Sequence, residues 1–415
     1  MNSKEKLKKA LNHEPGPLPV DFGSNLVTGM HVKIVGQLRD HYGLEKRPVK
    51  ICDPYQMLGR IEKDLREALA IDTVPIDPPS TIFGFPLKNF KLWTAPWGQE
   101  LLVPENFNVT EKEDGVYIYP EGDTSARPSG HLPTSGYFFD TIVRQDPIDE
   151  DNLNPEDNLE EFGPISDEVL DHFVQEANRA EAIGMGTVAS TPGTGFGDIA
   201  LVPAPFLKNP KGIRDIAEWY MSTAMRKDYV HAIFEKQLAY AIENLAKINA
   251  KVGDKIDVVF LCGTDFGTQH GTFCSVESFN QLWAPYYKKL NGWIHENTLW
   301  KTFKHSCGSV IDFIDPFIEC GFDILNPVQC SAANMDPRTL KDRFGDRIVF
   351  WGGGVNTQHT LPFGTPEDVK KEVLQRCEIF GKGGGFVFNA IHNVQANTPI
   401  ENVIAMIEAL KEFNR

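Results

Sequence analysis

From residue 167 to the C-terminus, stretches with helical spacing alternate with short β-branched and aromatic runs. This alternation constrains the fold more than any other feature of the chain. A helical pattern over 167–183 leads into Gly186-Thr-Val-Ala-Ser190, and helices over about 212–226 and 227–251 follow. Then come strand 256–261, helix 276–297, strand 301–305, helix 309–319, strand 323–326 and helix 337–343. Strand 347–351, helix 366–381, strand 385–389 and a last helix over 400–413 complete the run. Strands separated by helices build right-handed βαβ units and hence a parallel sheet. Upstream, Leu18-Pro-Val-Asp-Phe-Gly23 and Thr73-Val-Pro-Ile76 read as two further short strands, with helical spacing at 3–12, 31–42 and 54–69. With that pair about eight strand–helix units can be placed, which favours an α/β (β/α)8 TIM barrel over an open doubly wound sheet.

Residues 83–145 break the pattern. Runs such as Phe90-Lys-Leu-Trp93, Glu100-Leu-Leu-Val103 and Gly115-Val-Tyr-Ile-Tyr119 alternate with turn signals such as Glu113-Asp-Gly115. The expectation is one barrel domain over 1–415, with 83–145 a β-rich insertion near the N-terminal third that lies over one mouth. Its aromatics, Phe83, Phe85, Trp93, Trp97 and Tyr137-Phe-Phe139, read as the core of that insertion in preference to a pocket wall. The acidic, proline-bearing stretch 145–165 reads as a solvated connection.

Composition narrows the function classes. The chain has 57 acidic against 41 basic residues, a net charge of −16, which argues against a nucleic-acid footprint. Seven widely spread cysteines, an odd number, suit reduced thiols and a cytoplasmic location better than a disulfide framework. The N-terminus has no apolar run of the signal-peptide kind and no stretch has the length of a membrane span. Gly193-x-Gly-x-Gly197 lacks the spacing of a dinucleotide loop and reads as a flexible turn at a barrel mouth.

In a parallel barrel the C-terminal strand ends form the active face. Lys301-Thr-Phe-Lys-His305-Ser-Cys307-Gly308 is a strand, a tight turn and the start of a helix, and it delivers an imidazole and a thiol at that face. Such a pair suits zinc or a reactive thiol. The other late strands also end in polar residues: Cys262 with Asp265, Gln269 and His270; Asn326 with Gln329 and Cys330; Asn356 with Gln358 and His359; Asn389 with His392, Asn393 and Gln395. Each alone is a loop residue that caps or turns. Together they point to a site, with Asp265, Gln329 and Asn389 as catalytic candidates and Gln269, Asn326, Asn356 and Asn393 as substrate-binding candidates. Asp265 could equally position a histidine, act as acid or base, or cap its turn. Cys320 and Cys377 fall within helical spacing and read as buried packing residues.

Gly263-Thr-Asp-Phe-Gly-Thr-Gln269, His305-Ser-Cys-Gly308, Asp323-Ile-Leu-Asn-Pro-Val-Gln329 and Ile348-Val-Phe-Trp-Gly-Gly-Gly354 resemble the uroporphyrinogen decarboxylase superfamily. So do Asn389-Ala-Ile-His-Asn393 with Thr398-Pro-Ile-Glu-Asn-Val403, and the opening Lys4–Pro15. The resemblance covers 165–415 well and 1–80 loosely, and it implies a (β/α)8 barrel. True decarboxylases of the family carry an arginine-rich loop that grips an acidic tetrapyrrole. The corresponding stretch here, Gly23-Ser-Asn-Leu-Val-Thr-Gly-Met-His31, has no arginine. A polycarboxylate lacks its cationic partner there.

The chain is similar, rather, to the corrinoid- and zinc-dependent methyltransferase branch. That likeness implies zinc at His305 and Cys307, and a corrinoid brought by a partner protein. Where the branch has a third ligand cysteine this chain has His392, and Cys330 lies at an intervening strand end, so His305, Cys307, Cys330 and His392 form the expected ligand set. Three readings follow: a methyltransferase acting on a small methylated compound or thiol, a cofactor-free decarboxylase or other lyase, and a non-catalytic binding barrel. Zinc content separates the first two.

Overall fold

The structure is a computed structural model that describes residues 1–415 apart from the side chain of Cys262. In chain order its strands are β1 (Val49–Asp53), β2 (Leu58–Gly59), β3 (Thr73–Ile76), β4 (Lys91–Thr94), β5 (Glu100–Val103), β6 (Val109–Lys112), β7 (Gly115–Ile118), β8 (Gly130–Pro133) and β9 (Asp140–Thr141). The later strands are β10 (Gly186–Ser190), β11 (Val258–Cys262), β12 (Lys301–His305), β13 (Ile324–Asn326), β14 (Val349–Trp351) and β15 (Phe386–Val387). Seven of them form one curled parallel sheet in the order β15-β14-β13-β12-β11-β10-β3. The Pro19–Asp21 segment bonds to chain at both edges of that sheet. On one side Phe388 N–H donates to Pro19 O (2.8 Å) and Asp21 N–H to Phe388 O (2.9 Å), and on the other Asp72 N–H donates to Val20 O (2.8 Å). The fold is therefore α/β and of the TIM-barrel type, as the strand–helix alternation predicts.

A strand sends alternate side chains to opposite faces. One set, Val188, Val258, Phe303, Ile324, Val349, Trp351 and Val387, fills the lumen as a cluster with Leu7, Ala10 and Leu11 of the helix Ser3–Leu11. That helix plugs the sheet at its N-terminal end. Asn2 and Glu5 cap it reciprocally, which satisfies two of its free N–H groups. Its lysines hold it down: Lys6 lies 2.7 Å from Asp72, and Lys4 lies 3.5 Å from the buried Asp257. The opposite set of strand side chains packs under the surrounding helices, in a second and larger cluster that includes Cys320 and Cys377.

Three expectations need correction. Helical spacing over 54–69 yields only the helix Lys63–Ala68, because Leu58–Gly59 pairs antiparallel with β1. At Gly59 a Cβ would stand 2.9 Å from the side chains of Val35 and Val49, so the close strand crossing requires glycine. The segment 276–297 is two helices, Val276–Leu282 and Ala284–Asn297. Pro285 cannot donate the backbone bond that would join them, yet it suits the first turn of the second.

The β-rich region is wider than 83–145. Two four-stranded sheets form there, and the first, β2-β1-β5-β4, draws in residues ahead of β3. Phe83, Phe85 and Phe139 are fully buried and ring-packed within this region. The stretch 145–165 is largely solvent-exposed, as expected of a solvated connection, and it is also pinned to the body of the fold. The guanidinium of Arg214, 1 % exposed, is held by Glu161 at 2.9 Å and by the carbonyl of Asp157. Asn158 is buried against Ile213.

No helix among the described residues is long and apolar enough to cross a membrane.

The plug carries a stability prediction. Leu7 is fully buried in the lumen, so Leu7→Ala removes apolar packing and leaves a cavity. A loss of about 2–5 kcal/mol is expected, read as a lower urea midpoint. An unchanged midpoint would show that the helix is not part of the core.

Candidate metal centre

His305 is the last residue of β12, and the two-residue period of the strand turns it into the lumen two positions after Phe303. The chain then makes a sharp turn. Ser306 N–H donates to Asn326 O (2.7 Å) and Ser309 N–H to Thr268 O (2.8 Å), while Gly308 N–H donates to the Oε1 of Gln329 (2.7 Å). Gly308 has φ +87° and lies against the backbone of Gly267, where a Cβ would come within 2.5 Å. Only glycine fits that position. The turn delivers Cys307 to the same side as His305, and Cys307 Sγ lies 3.3 Å from His305 Nε2.

His392, on the loop after β15, joins them. Its ring centroid is 5.4 Å from that of His305, at 73°. One ligand atom from each of His305, Cys307 and His392 falls within 4.8 Å of the others. His305 is buried, and Cys307 and His392 are partly exposed.

The orientation of His305 is set by its neighbour. Asn326 donates through Nδ2 to the carbonyl of Trp351 (2.8 Å), which can only accept. Its Oδ1 therefore faces His305 Nδ1 at 2.6 Å, and Nδ1 must carry the proton. The lone pair of Nε2 is left directed at Cys307 and His392. Trp351 is itself fixed by its indole N–H, which donates to Asp21 Oδ2 at 2.8 Å. The Asp265 carboxylate accepts from Cys307 N–H (2.7 Å) and lies 4.0 Å from His305 Nε2.

Electrostatics favour neutral donors. Burial pushes the His305 imidazole down to about 4. Burial, then the neighbouring His305, pushes His392 down to about 3. Burial, then the Asp265 carboxylate, holds the Cys307 thiol well above its ordinary value. Neutral imidazole is the ligand form, and a divalent cation beside the thiol reverses its balance and removes its proton. Two imidazoles and one thiol make a donor set that fits zinc.

The other expected residues divide. Cys330 is not one of the three convergent ligands. Its backbone N–H turns to Val328 O at 2.9 Å, and its thiol lies near Arg376 and Glu372 of the helix Pro366–Gly381, with burial raising it to about 12. Asn326 orients His305, and Gln329 holds the turn at Gly308. Asn389 bonds the carbonyls of Asp21 (2.7 Å) and Thr28 (3.1 Å). Asn393 accepts from Gly29 N–H and donates to Leu26 O, tying two loops together. Asn356 caps its own loop at Gln358 and His359, and Gln269 is exposed. Asp265 lies beside His305 and Cys307, outside the group of three converging ligand atoms.

Sequence reasoning passed over Asp77 and Asp198. Asp77 follows β3 by one residue and accepts from Ser190 Oγ, at the end of the next strand, at 2.8 Å; burial pushes it up to about 6. Asp198 accepts from Gly263 N–H at 2.9 Å. The strand-end argument applied to the late strands, extended to β3 and β10, would have found the Asp77–Ser190 pair.

The depressed imidazoles predict a pH dependence. Above an ordinary imidazole pKa of about 6.5 both histidines are neutral whether folded or not. As pH falls, the unfolded chain binds protons first, while the folded pockets resist to about 4 at His305 and about 3 at His392. Stability from this pair is thus complete above that range and is lost on acidification. Asp53 and Asp77, raised to about 6, act in the opposite sense, so the informative quantity is a difference. In metal-free protein the double variant His305→Gln/His392→Gln should lose urea midpoint less steeply between about pH 6.5 and 4 than the parent. Parallel profiles would refute buried, neutral imidazoles.

The model of the family described as uroporphyrinogen decarboxylase (URO-D) matches residues 204–413, about half of this chain. Uroporphyrinogen decarboxylase of Coxiella burnetii (strain RSA 493 / Nine Mile phase I) is 33% identical over 194 residues, 45% of this chain and 48% of that protein. The chain thus spans about half the length of these curated relatives. Uroporphyrinogen decarboxylase of Psychromonas ingrahamii is 35% identical over 80 residues, 19% of this chain and 22% of the relative. Among solved structures, a methyltransferase from Methanosarcina mazei superposes with a TM-score of 0.54 and 17% identity, covering 100% of both chains. That likeness is one of fold. The matched segment runs from the loop after β10 through the final helix and contains His305, Cys307 and His392; on that sequence match this chain belongs to the uroporphyrinogen decarboxylase (URO-D) family.

Proposed function

We propose that the protein is a cytoplasmic methyltransferase of the corrinoid-dependent type. It moves a methyl group between a small methylated compound or thiol and a corrinoid carried by a separate protein, with zinc held by His305, Cys307 and His392. The observation that carries this reading is the convergence of two neutral imidazoles and a thiol within 4.8 Å at a partly exposed strand-end site. Zinc at that site would lower the pKa of a coordinated thiol or hydroxyl and so supply a nucleophile at neutral pH. The chain's own residues do the rest. Asn326 holds His305 with Nε2 unprotonated, and the backbone turn at Gly308 fixes Cys307 beside it. Asp265 accepts from Cys307 N–H and lies 4.0 Å from His305 Nε2, so it holds the turn and sets a carboxylate beside the three donors.

The second reading, a cofactor-free decarboxylase, has the names of the curated relatives in its favour and the partly buried Asp77–Ser190 pair as an acid. At the loop where such decarboxylases would carry a cationic clamp, this chain has none for a polycarboxylate. Loop 23–31 carries no arginine, and Ser24, Asn25 and Thr28 of that loop are buried.

Metal analysis of protein purified without chelator separates the two. About one zinc per chain is expected, and Cys307→Ser should weaken zinc binding by roughly tenfold or more, since it removes a ligand outright. Cys320→Ser and Cys330→Ser should retain the metal. A methyl-donor screen with a corrinoid protein, followed by corrinoid absorbance, then reads the transfer. Protein that stays metal-free in micromolar zinc, or undiminished zinc in Cys307→Ser, would favour the lyase.

A further inference from the structure

Lys304 is fully buried on the face of β12 opposite to His305. Period-two alternation sends Phe303 and His305 into the lumen and Lys304 outward, under the helices, where strand side chains are normally apolar. Its ammonium is bound on two sides by backbone. Nζ donates to Thr264 O at 2.6 Å and to His305 O at 2.7 Å. It also lies over the rings of Phe266 (5.0 Å) and Phe317 (5.6 Å), so its cation is held by carbonyl dipoles and aromatic faces.

The two carbonyls belong to informative residues. Thr264 immediately precedes Asp265, and His305 is a ligand two residues before Cys307. One side chain thus ties the loop that carries the rim carboxylate to the strand that carries the imidazole and thiol. Other bonds at this seam, Phe266 N–H to Ser306 Oγ (2.9 Å) and Cys307 N–H to Asp265 Oδ1 (2.7 Å), lie beside the same crossing.

We propose that Lys304 is a positioning residue for the metal centre, clamping the Thr264 and His305 carbonyls together so that the loop of Asp265 holds the His305–Cys307 pair toward one ion. This rests on the metal reading given above. Charge and geometry make opposite predictions, which makes the role testable. A cation close behind the site repels a divalent ion, so if Lys304 acted only through its charge, removing it would tighten zinc binding. If it acts as a clamp, removing it loosens the donor set and weakens zinc, as loss of a residue supporting metal ligands does, by about 10–100-fold.

The experiment compares wild type, Lys304→Met, Lys304→Gln and Lys304→Arg, with folding checked by circular dichroism. Zinc affinity is measured by chelator competition, and the visible spectrum of the cobalt(II)-substituted protein reports ligand geometry. The clamp predicts at least tenfold weaker zinc in Lys304→Met, a changed cobalt spectrum, and partial rescue in Lys304→Arg, whose guanidinium can still donate to two carbonyls. Should Lys304→Met fail to fold, Lys304→Gln serves in its place, with weaker zinc again expected. A folded Lys304→Met or Lys304→Gln protein with zinc as tight as wild type, or tighter, and an unaltered cobalt spectrum would overturn the clamp while leaving the metal centre standing. Wild-type protein that takes up neither zinc nor cobalt would overturn both.

Discussion

A carbonyl oxygen can only accept a hydrogen bond, and at Trp351 that limit sets the chemistry of the barrel floor. Because Trp351 O takes the Nδ2 proton of Asn326, the Asn326 oxygen must face His305, and His305 must present Nε2 to the site. The same tryptophan donates its indole N–H to Asp21, in the segment that bonds to both edges of the parallel sheet. Closing the sheet and orienting the imidazole therefore belong to one network. Each buried polar atom in it has its partner, as a low-dielectric interior requires.

The strand β12 carries the site on one face and its support on the other. His305 points into the lumen while Lys304, one residue before, reaches back to the carbonyls on either side of the crossing. Glycine makes the crossing possible, since Gly308 runs within contact of the backbone of Gly267. A side chain at either position would push apart the loops that carry Asp265 and Cys307.

Burial keeps both imidazoles neutral and Cys307 protonated, so the site consists of uncharged ligands beside one carboxylate. A divalent ion taken up by such a set would release the thiol proton, and its affinity would rise with pH. A histidine in place of a ligand cysteine removes one negative charge from the ion's surroundings. A zinc centre so ligated would be the stronger Lewis acid, and less electron-rich toward a bound thiol.

Local periodicity was legible without coordinates. The alternation of strands and helices after Gly186 specifies a parallel sheet because each period follows from backbone geometry over a few residues. The His305–Cys307 pair was legible for the same reason, since two residues at a strand end turn together. The burial of Cys320 and Cys377 also followed from helical spacing. Other features depended on how distant segments meet. That His392 joins His305 while Cys330 turns away to the outer helix depends on the path of two loops, and no local pattern encodes it. Likewise Asn326 acquires its role from the Trp351 carbonyl of the next strand, and the 145–165 stretch is pinned by an arginine far along the chain. Periodicity determines which face a residue takes, whereas only closure of the sheet decides which residues share a point in space.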